Sequence, residues 1–137
     1  MAADIHRKRA LHLRLGKRGE NLAVRYFERN GFEVILRNYR NKYGEVDIIA
    51  RDGLTLCFIE VKTRRYTTRS KPSEGLGSAQ KRRITRAAEA YLSELRNPQV
   101  TYRFDLIELI IGRWDIISLF YWKNHFGKNE KDIGRIV

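Results

Sequence analysis

The chain has 137 residues, enough for one domain with a real core and too few for two ordinary domains. Its hydrophobic content of 42% excludes a disordered chain, and its net charge of +12 favours a polyanionic partner. A lone cysteine, Cys57, excludes an internal disulfide and a thiolate metal cluster. Since no apolar run is long enough for a bilayer span or a secretory signal, we expect a cytoplasmic protein without a membrane partner.

The first predicted element is a helix that reaches about residue 30. Apolar residues recur along it at three- and four-residue spacing, and Asn30-Gly31 is a stop signal. Gly16 and Gly19 weaken such a helix, so we expect both to permit close approach of a neighbouring backbone. Glu20 lies at the edge of the apolar stripe. From its position alone, Glu20 is either a solvated carboxylate or one that turns toward a neighbouring sheet.

Three strands are predicted next. Residues 32–39 alternate between apolar and polar, and residues 41–44 have turn composition. Residues 44–64 form two apolar strands around Asp52-Gly53, a strong signal for a tight hairpin. Cys57 falls in the middle of the second strand, on the face opposite Glu60, where we expect a small buried side chain.

The apolar hairpin contains four ionisable residues: Glu45, Asp47, Glu60 and Lys62. A two-residue turn at Asp52-Gly53 places Asp47 diagonal to Glu60, on one face with the other two. Carboxylates this close repel each other, so a bound cation explains the pattern better than chance does. The alternative is an exposed sheet face with solvated charges, which the interleaved apolar residues disfavour. A one-residue bulge at the turn would separate the carboxylates.

The second half of the chain begins with a loop at residues 64–78 and a helix at residues 78–96, with Ser78 as its N-cap and Asn97-Pro98 as its end. Residues 62–86 hold nine Lys or Arg and one Glu, so a basic surface adjoins the charged hairpin. Strands follow at residues 101–111 and 114–121, the first apolar on both faces with Asp105 as its one interior carboxylate. A single domain of residues 1–122 is predicted, with residues 123–137 as a loosely held polar tail.

This order of elements indicates an α/β sandwich with a mixed sheet. Zinc hydrolase, NTPase and serine hydrolase functions have no support, because the HExxH, Walker A and GxSxG motifs are missing. The three histidines lie near the two ends of the chain and are predicted to be surface residues without a role: His6, His12 and His125.

The charged hairpin has the groups that phosphodiester hydrolysis requires. The reaction needs charge neutralisation, an activated water and in-line geometry, which hard divalent cations held by carboxylate and carbonyl oxygens supply. Asp47 and Glu60 suit a shared Mg²⁺, with the Val61 carbonyl as a further ligand. Lys62 would point at the same place and could position the attacking water or stabilise developing charge.

The order of Asp47, a hairpin and then Glu60-Val61-Lys62 resembles the D…ExK form of the PD-(D/E)XK nuclease signature. Four longer segments resemble the YraN-like family of bacterial proteins, which is related to archaeal Holliday junction resolvases: GKRGENLAVRYFERNGFEVILRNYR, GEVDIIARDGLTLCFIEVKTR, QKRRITRAAEAYL and RFDLI. The resemblance covers roughly residues 15–120. It departs from the literal signature at one position, since Val46 and not proline precedes Asp47.

The resemblance implies a restriction-endonuclease-like fold, a three-layer α/β/α sandwich with a mixed, mostly antiparallel five-stranded sheet. It also implies affinity for nucleic acid and a nuclease site that depends on Mg²⁺ or Mn²⁺. Carried over by position, the metal ligands are Asp47, Glu60 and Val61, with Glu20 completing the site from the first helix. Lys62 is then the catalytic lysine, and Gln80 is a polar residue that supports the site.

Three functions fit the sequence. The first is a metal-dependent endonuclease acting on structured or branched DNA, as a homodimer if it resembles resolvases, with a role in DNA repair or recombination. The second is a DNA- or RNA-binding module that does not cleave, and the third is a basic assembly factor of a ribonucleoprotein. The carboxylates favour the first, because they repel phosphates unless a metal lies between. Phosphate contacts are expected from Arg64, Arg65, Arg69, Lys71, Lys81, Arg82, Arg83 and Arg86, and Tyr66 could stack on an unpaired base.

Overall fold

The computed structural model of the protein describes residues 2–68, 75–96, 99–126 and 132–135. Within these ranges it contains two helices and six strands. In chain order they are α1 (Ala2–Arg29), β1 (Glu33–Asn41), β2 (Gly44–Asp52), β3 (Thr55–Arg65), α2 (Ser78–Ser93), β4 (Thr101–Ile111), β5 (Ile116–Phe126) and β6 (Asp132–Arg135). Every predicted helix and strand is therefore present, most of them with shifted ends.

The strands form one sheet in the order β1-β2-β3-β4-β5-β6. All neighbouring strands are antiparallel except β3 and β4, which are parallel and are connected through α2. β4 is buried from Phe104 to Ile111, which confirms its predicted central position. The mixed, mostly antiparallel sheet confirms the predicted fold class, with β6 as a strand beyond the five that were predicted.

The two helices cover opposite faces of this sheet. On one face, α1 packs in a core with residues of β2, β3 and β4: Ala23, Val24, Phe27, Ile48, Ile59 and Ile107. On the other face, α2 packs in a second core with the same strands: Ile84, Ala87, Ala88, Ile49, Phe58 and Leu106. Full burial of one such Phe or Ile contributes about 1.5–3 kcal/mol, so these two cores hold the three layers together.

Only the C-terminal half of α1 packs against the sheet. Residues 2–14 are all exposed, and Leu15 is the first side chain of the helix that contacts the core. Gly19 is buried where α1 crosses β3, and a Cβ there would collide with the side chain of Thr63, so the predicted close approach is confirmed at Gly19. No atom lies within 4 Å of the equivalent position at Gly16, and the prediction was wrong there.

The hairpin of β2 and β3 has a different register from the predicted one. Asp52 pairs with Thr55, so the two turn residues are Gly53 and Leu54, and Gly53 has the positive φ of +61° that the turn requires. The predicted pairing was therefore wrong by two residues. An even shift preserves the alternation of side chains, so Asp47 and Glu60 remain neighbours.

The ends of α2 and β5 also differ from the prediction. The N-cap of α2 is Gly77, without a side-chain hydrogen bond, and Ser78 is the first helical residue. The predicted stop at Asn97-Pro98 lies outside the described residues. β5 continues to Phe126 and pairs with β6, so the segment after residue 122 extends the sheet where a tail was predicted. Residues 127–131 and 136–137 lie outside the described part of the tail.

Four buried polar or thiol groups test further predictions: Cys57, Asp105, Glu108 and His125. Cys57 is fully buried, as predicted, and burial raises the pKa of its thiol to about 12. Asp105 is fully buried in β4, but so is Glu108, and the prediction of one interior carboxylate was wrong. His125 is only 7% exposed and packs against Trp122. Its predicted surface position was therefore wrong, whereas the other two histidines are exposed.

Candidate active site

The candidate site lies in the gap where β2 and β3 stop pairing. The ladder between these strands ends at the pair Ile48 and Ile59. In β2, Val46 packs in the core beneath α2 and Ile48 in the core beneath α1, so the alternation of faces breaks at Asp47. Asp47 Oδ2 accepts a hydrogen bond of 2.8 Å from the Val61 N–H. The Asp47 side chain thus binds a backbone group in the part of β3 that no longer pairs with β2.

Asp47 and Glu60 share a hydrogen bond, in which the Glu60 carboxyl group donates to Asp47. Burial, the charge of Asp47 and this hydrogen bond raise the pKa of Glu60 from 4.5 to about 9. Burial also raises the pKa of Asp47, although the Val61 N–H opposes the shift. Glu20 and Glu45 add negative charge that raises the pKa of Asp47 further. The chain therefore holds excess negative charge here, and a proton relieves part of it.

Two predicted residues reach this pair from the α2 side of the sheet. Gln80 Nε2, in the first turn of α2, donates a hydrogen bond of 2.9 Å to Glu60 Oε1. Lys62 Nζ donates one of 2.7 Å to the carbonyl oxygen of Gly75, just before α2. The positive charge of Lys62 opposes the rise in the pKa of Glu60, so its ammonium group is part of the same electrostatic environment.

Glu20 approaches the pair from the α1 side. Its Oε1 accepts hydrogen bonds from Asn38 Nδ2 at 2.9 Å and from Arg37 Nε and Nη2 at 3.4 and 3.3 Å. Glu20 is thus turned toward the sheet, the second of the two orientations that its position allowed. The sequence reasoning missed Arg37 and Asn38, which fix this carboxylate. Their only signal was their position at the polar end of β1, and the φ of 53° at Asn38 could not be read from the sequence.

Two cavities meet at these carboxylates. One, of about 540 Å³, lies on the α1 side and is lined by residues that include Lys17, Glu20, Glu45, Asp47 and Glu60. The other, of about 470 Å³, lies on the α2 side and is lined by residues that include Arg40, Lys42, Glu45, Glu60, Gln80 and Arg83. Glu45 and Glu60 line both cavities. The charged residues were predicted to share one face of the sheet, but they occupy a gap that opens toward both faces.

The donor set suits a hard divalent cation. Asp47 and Glu60 bring two carboxyl groups together, and a cation between them would allow both to be ionised. The Val61 N–H faces Asp47, and the carbonyl of a strand residue points to the same edge as its N–H. The described residues contain no group of three or more His, Cys, Asp or Glu side chains already arranged around a metal. A complete shell would therefore include backbone or water oxygens, or a reoriented Glu20.

The predicted basic residues do not form one continuous surface. Arg64 belongs to β3, where its Nη2 lies 2.9 Å from Oε1 of the buried Glu108, so this arginine is held in an ion pair. Arg65 is exposed at the end of β3. Arg83 lines the cavity beside Glu60, whereas the other three basic residues of α2 line a separate depression: Lys81, Arg82 and Arg86. Arg69 and Lys71 lie outside the described residues.

The fold and this gap define an α/β/α sandwich with paired carboxyl groups where two central strands separate. The profile of the uncharacterised protein family UPF0102 matches residues 19–109. A UPF0102 protein of Chlorobaculum parvum is 45% identical over 105 residues, which cover 77% of this chain and 81% of that protein. One of Caldicellulosiruptor saccharolyticus is 38% identical over 113 residues, or 82% of this chain and 96% of that protein. The chain belongs to the family UPF0102.

A third relative has a similar degree of identity. A UPF0102 protein of Rhodococcus opacus is 44% identical over 103 residues, which cover 75% of this chain and 87% of that protein. The predicted YraN-like family is confirmed by these matches. Neither α1 nor α2, the two helices in the described ranges, is long and apolar enough to cross a membrane.

Proposed function

We propose that this protein is a metal-dependent nuclease that hydrolyses phosphodiester bonds of structured or branched DNA. One observation supports the proposal above all others: the carboxyl groups of Asp47 and Glu60 lie together in a half-buried gap near Lys62 and line the same cavity. Buried carboxyl groups that repel each other cost stability unless a ligand compensates them. A divalent cation bound between Asp47 and Glu60 would compensate their charges and would explain why the two carboxyl groups lie together.

In the proposed site, Asp47, Glu60 and the Val61 carbonyl would hold Mg²⁺ or Mn²⁺, with Glu20 as the further carboxylate that completes the site. The ion supplies charge neutralisation and a water of lowered pKa. Gln80 holds Glu60 in position through its amide group. Lys62 carries the positive charge that would bind a non-bridging phosphate oxygen as negative charge develops. The cationic residues of the α2-side cavity would hold the flanking phosphates: Arg40, Lys42 and Arg83.

A panel of substrates tests the proposal: linear duplex, single-stranded, flapped and four-way DNA, each with Mg²⁺ or Mn²⁺. We expect wild-type protein to cleave at least one of them, and Asp47→Asn to slow cleavage by a factor of about 100 or more while DNA binding persists. Lys62→Ala should behave similarly. Glu89→Gln, which changes an exposed carboxylate elsewhere on α2, should leave the rate unchanged. Equal cleavage by wild type and Asp47→Asn would locate the activity elsewhere.

A nucleic-acid-binding module that does not cleave is the second candidate. Two observations favour it: the described residues include no preformed cluster of three metal-binding side chains, and Oε1 of Glu20 is held by Arg37 and Asn38. This candidate predicts DNA binding without cleavage of any substrate in the panel. It also predicts that divalent cations leave the affinity of the protein for DNA unchanged apart from ordinary screening by salt.

A further inference from the structure

A third cavity lies at the end of the sheet where β3 and β4 finish. Its volume is about 430 Å³, and its lining combines an apolar floor, one aromatic ring and three guanidinium groups: Leu15, Ile111, Tyr66, Arg18, Arg65 and Arg113. No acidic residue is among the described residues that line it. The cavity is therefore cationic and aromatic, unlike the carboxylate gap on the other flank of α1.

Two exposed aromatic residues lie at or next to this cavity. Tyr66 lines it and is 51% exposed, and its N–H donates a hydrogen bond of 2.8 Å to the Ile111 carbonyl oxygen, which fixes the backbone at the end of β4. Trp114 directly follows Arg113, which lines the cavity, and is 83% exposed in the turn between β4 and β5. The Arg113 guanidinium carbon lies 5.0 Å from the centroid of the Trp114 ring, within the range of a cation–π contact. The indole is thus accessible to a ligand beside the arginines of the cavity.

We propose that this cavity, with Trp114 at its rim, binds an unpaired nucleobase and the adjoining phosphate of a single-stranded segment. Aromatic faces stack on any base, and arginines bind the phosphate beside it. The inference rests on the nucleic-acid binding in the proposed function but not on cleavage. It narrows the substrate class to DNA in which a single-stranded segment adjoins a duplex, such as a flap or a fork.

The position of this cavity relative to the carboxylate gap supports such a substrate. Arg65 follows Lys62 by three residues of β3, which is about 10 Å at ~3.3 Å per residue. α1 separates the two places, since Lys17 and Glu20 line the cavity of the gap while Leu15 and Arg18 line this one. A strand that passed from one to the other would cross α1 beside the exposed Lys17. An unpaired strand is flexible enough to follow this path.

Charge argues against a protein segment as the occupant. Arg18 already donates to the Gly112 carbonyl oxygen at 3.0 Å, but Arg65 and Arg113 are exposed. An apolar helix or strand would bury these two guanidinium groups without compensation, which is costly. A phosphodiester strand brings the negative charge that these residues can bind.

Tryptophan fluorescence tests the inference directly, because Trp114 is exposed and the only other tryptophan, Trp122, is buried. In EDTA, we expect a short thymidine homopolymer to quench the emission of wild-type protein, and Trp114→Ala to abolish this quenching. The same change should weaken binding of the labelled homopolymer about tenfold by fluorescence anisotropy, while binding of a blunt duplex changes little. Leu54→Ala removes a side chain that is 90% exposed at the opposite end of the sheet, and should match wild type.

The outcomes separate this inference from the proposed function. Wild-type affinity for the homopolymer in Trp114→Ala, or equal quenching by homopolymer and blunt duplex, would overturn the inference and leave the nuclease proposal intact. Quenching that depends on Trp114 in a protein that cleaves no substrate would support the inference and overturn the nuclease proposal. Absence of binding to every nucleic acid tested would overturn both.

Discussion

The protein compensates the carboxylate of Asp105 in β4 more fully than the half-buried pair Asp47 and Glu60 in the same sheet. Asp105 in β4 is fully buried and accepts hydrogen bonds from the Arg103 guanidinium group, the Tyr121 hydroxyl and the Asn124 N–H. Burial and the negative charge of Asp105 raise the pKa of Tyr121, so the phenol remains a donor. Hydrogen bonds and an ion pair within the protein therefore compensate the buried charge of Asp105.

Asp47 and Glu60 receive much less. Among the described residues, one backbone N–H, from Val61, and one side-chain amide, from Gln80, donate hydrogen bonds to this pair, and the charge of Lys62 compensates Glu60 in part. Arg37, which lines the same cavity as Asp47, binds Glu20. A buried carboxylate can be compensated within this fold, as Asp105 shows. The weaker compensation of Asp47 and Glu60 is what we expect of a site for a cationic ligand.

The largest effect on stability is expected when Asp105, the fully compensated carboxylate, is removed. Asp105→Ala leaves the Arg103 guanidinium, whose side chain is only 9% exposed, without its main partner. We expect the free energy of unfolding to fall by about 3–5 kcal/mol, because the buried guanidinium group keeps only Asp52 as a carboxylate partner and the Tyr121 hydroxyl and Asn124 N–H lose their acceptor. Urea denaturation measures this, with Glu89→Ala as a surface control that should change little. A loss similar to that of the control would mean that Arg103 finds other compensation.

The second largest effect is expected in the way the stability of the protein depends on pH. The pKa of Glu60 is raised in the folded protein from 4.5 to about 9, so between these values the folded state binds one proton more than the unfolded state. The contribution of Glu60 to stability without metal is therefore fully present below about pH 4.5 and decreases as the pH rises toward 9, by less than about 1.4 kcal/mol per pH unit. Glu60→Gln should flatten this decline in urea denaturation across the same range. An unchanged slope in Glu60→Gln would contradict the assignment.

The smallest effect on stability is expected when Asp47 in the gap between β2 and β3 is changed. Asp47→Asn keeps an oxygen that can accept from the Val61 N–H and removes a negative charge beside Glu60. Without metal, we expect it to be as stable as wild type or more stable by about 1 kcal/mol, because repulsion is relieved. Thermal unfolding in EDTA measures this. A large loss of stability would make Asp47 a structural residue like Asp105.

The sequence correctly predicted that Asp47 and Glu60 are neighbours, although the predicted position of the turn was wrong. Side chains alternate with period two, so the same side chains share a face whenever the number of residues in the turn is even. The turn was predicted at Asp52-Gly53, but it lies at Gly53-Leu54. This error shifted the register by two residues and therefore kept the carboxylates together. Alternation could not predict that β2 and β3 separate at Ile48 and Ile59. That separation depends on packing against both helices, and it turns a predicted face into a gap.

The contacts between side chains of the parallel strands β3 and β4 could not be predicted from the sequence. Arg64 was assigned to a loop that binds phosphate, yet it extends β3 and contacts Glu108 of β4. β3 and β4 are joined through α2, so their register is set by the packing of that helix and not by a local turn. Glu108 did carry a visible signal, since it is a charged residue inside β4, a strand of 11 residues that is apolar on both faces. A buried partner for it could have been sought among the basic residues that follow Lys62.

Binding of Mn²⁺ by metal-free protein tests the central claim most directly. Titration calorimetry at about pH 8 should show one ion bound per chain, with release of the proton that Glu60 holds, seen as heat that varies with the ionisation enthalpy of the buffer. Asp47→Asn and Glu60→Gln should abolish this binding, and Glu89→Gln should retain it. Failure of wild-type protein to bind the ion, or undiminished binding by Asp47→Asn, would contradict the assignment of the gap between β2 and β3 as a metal site.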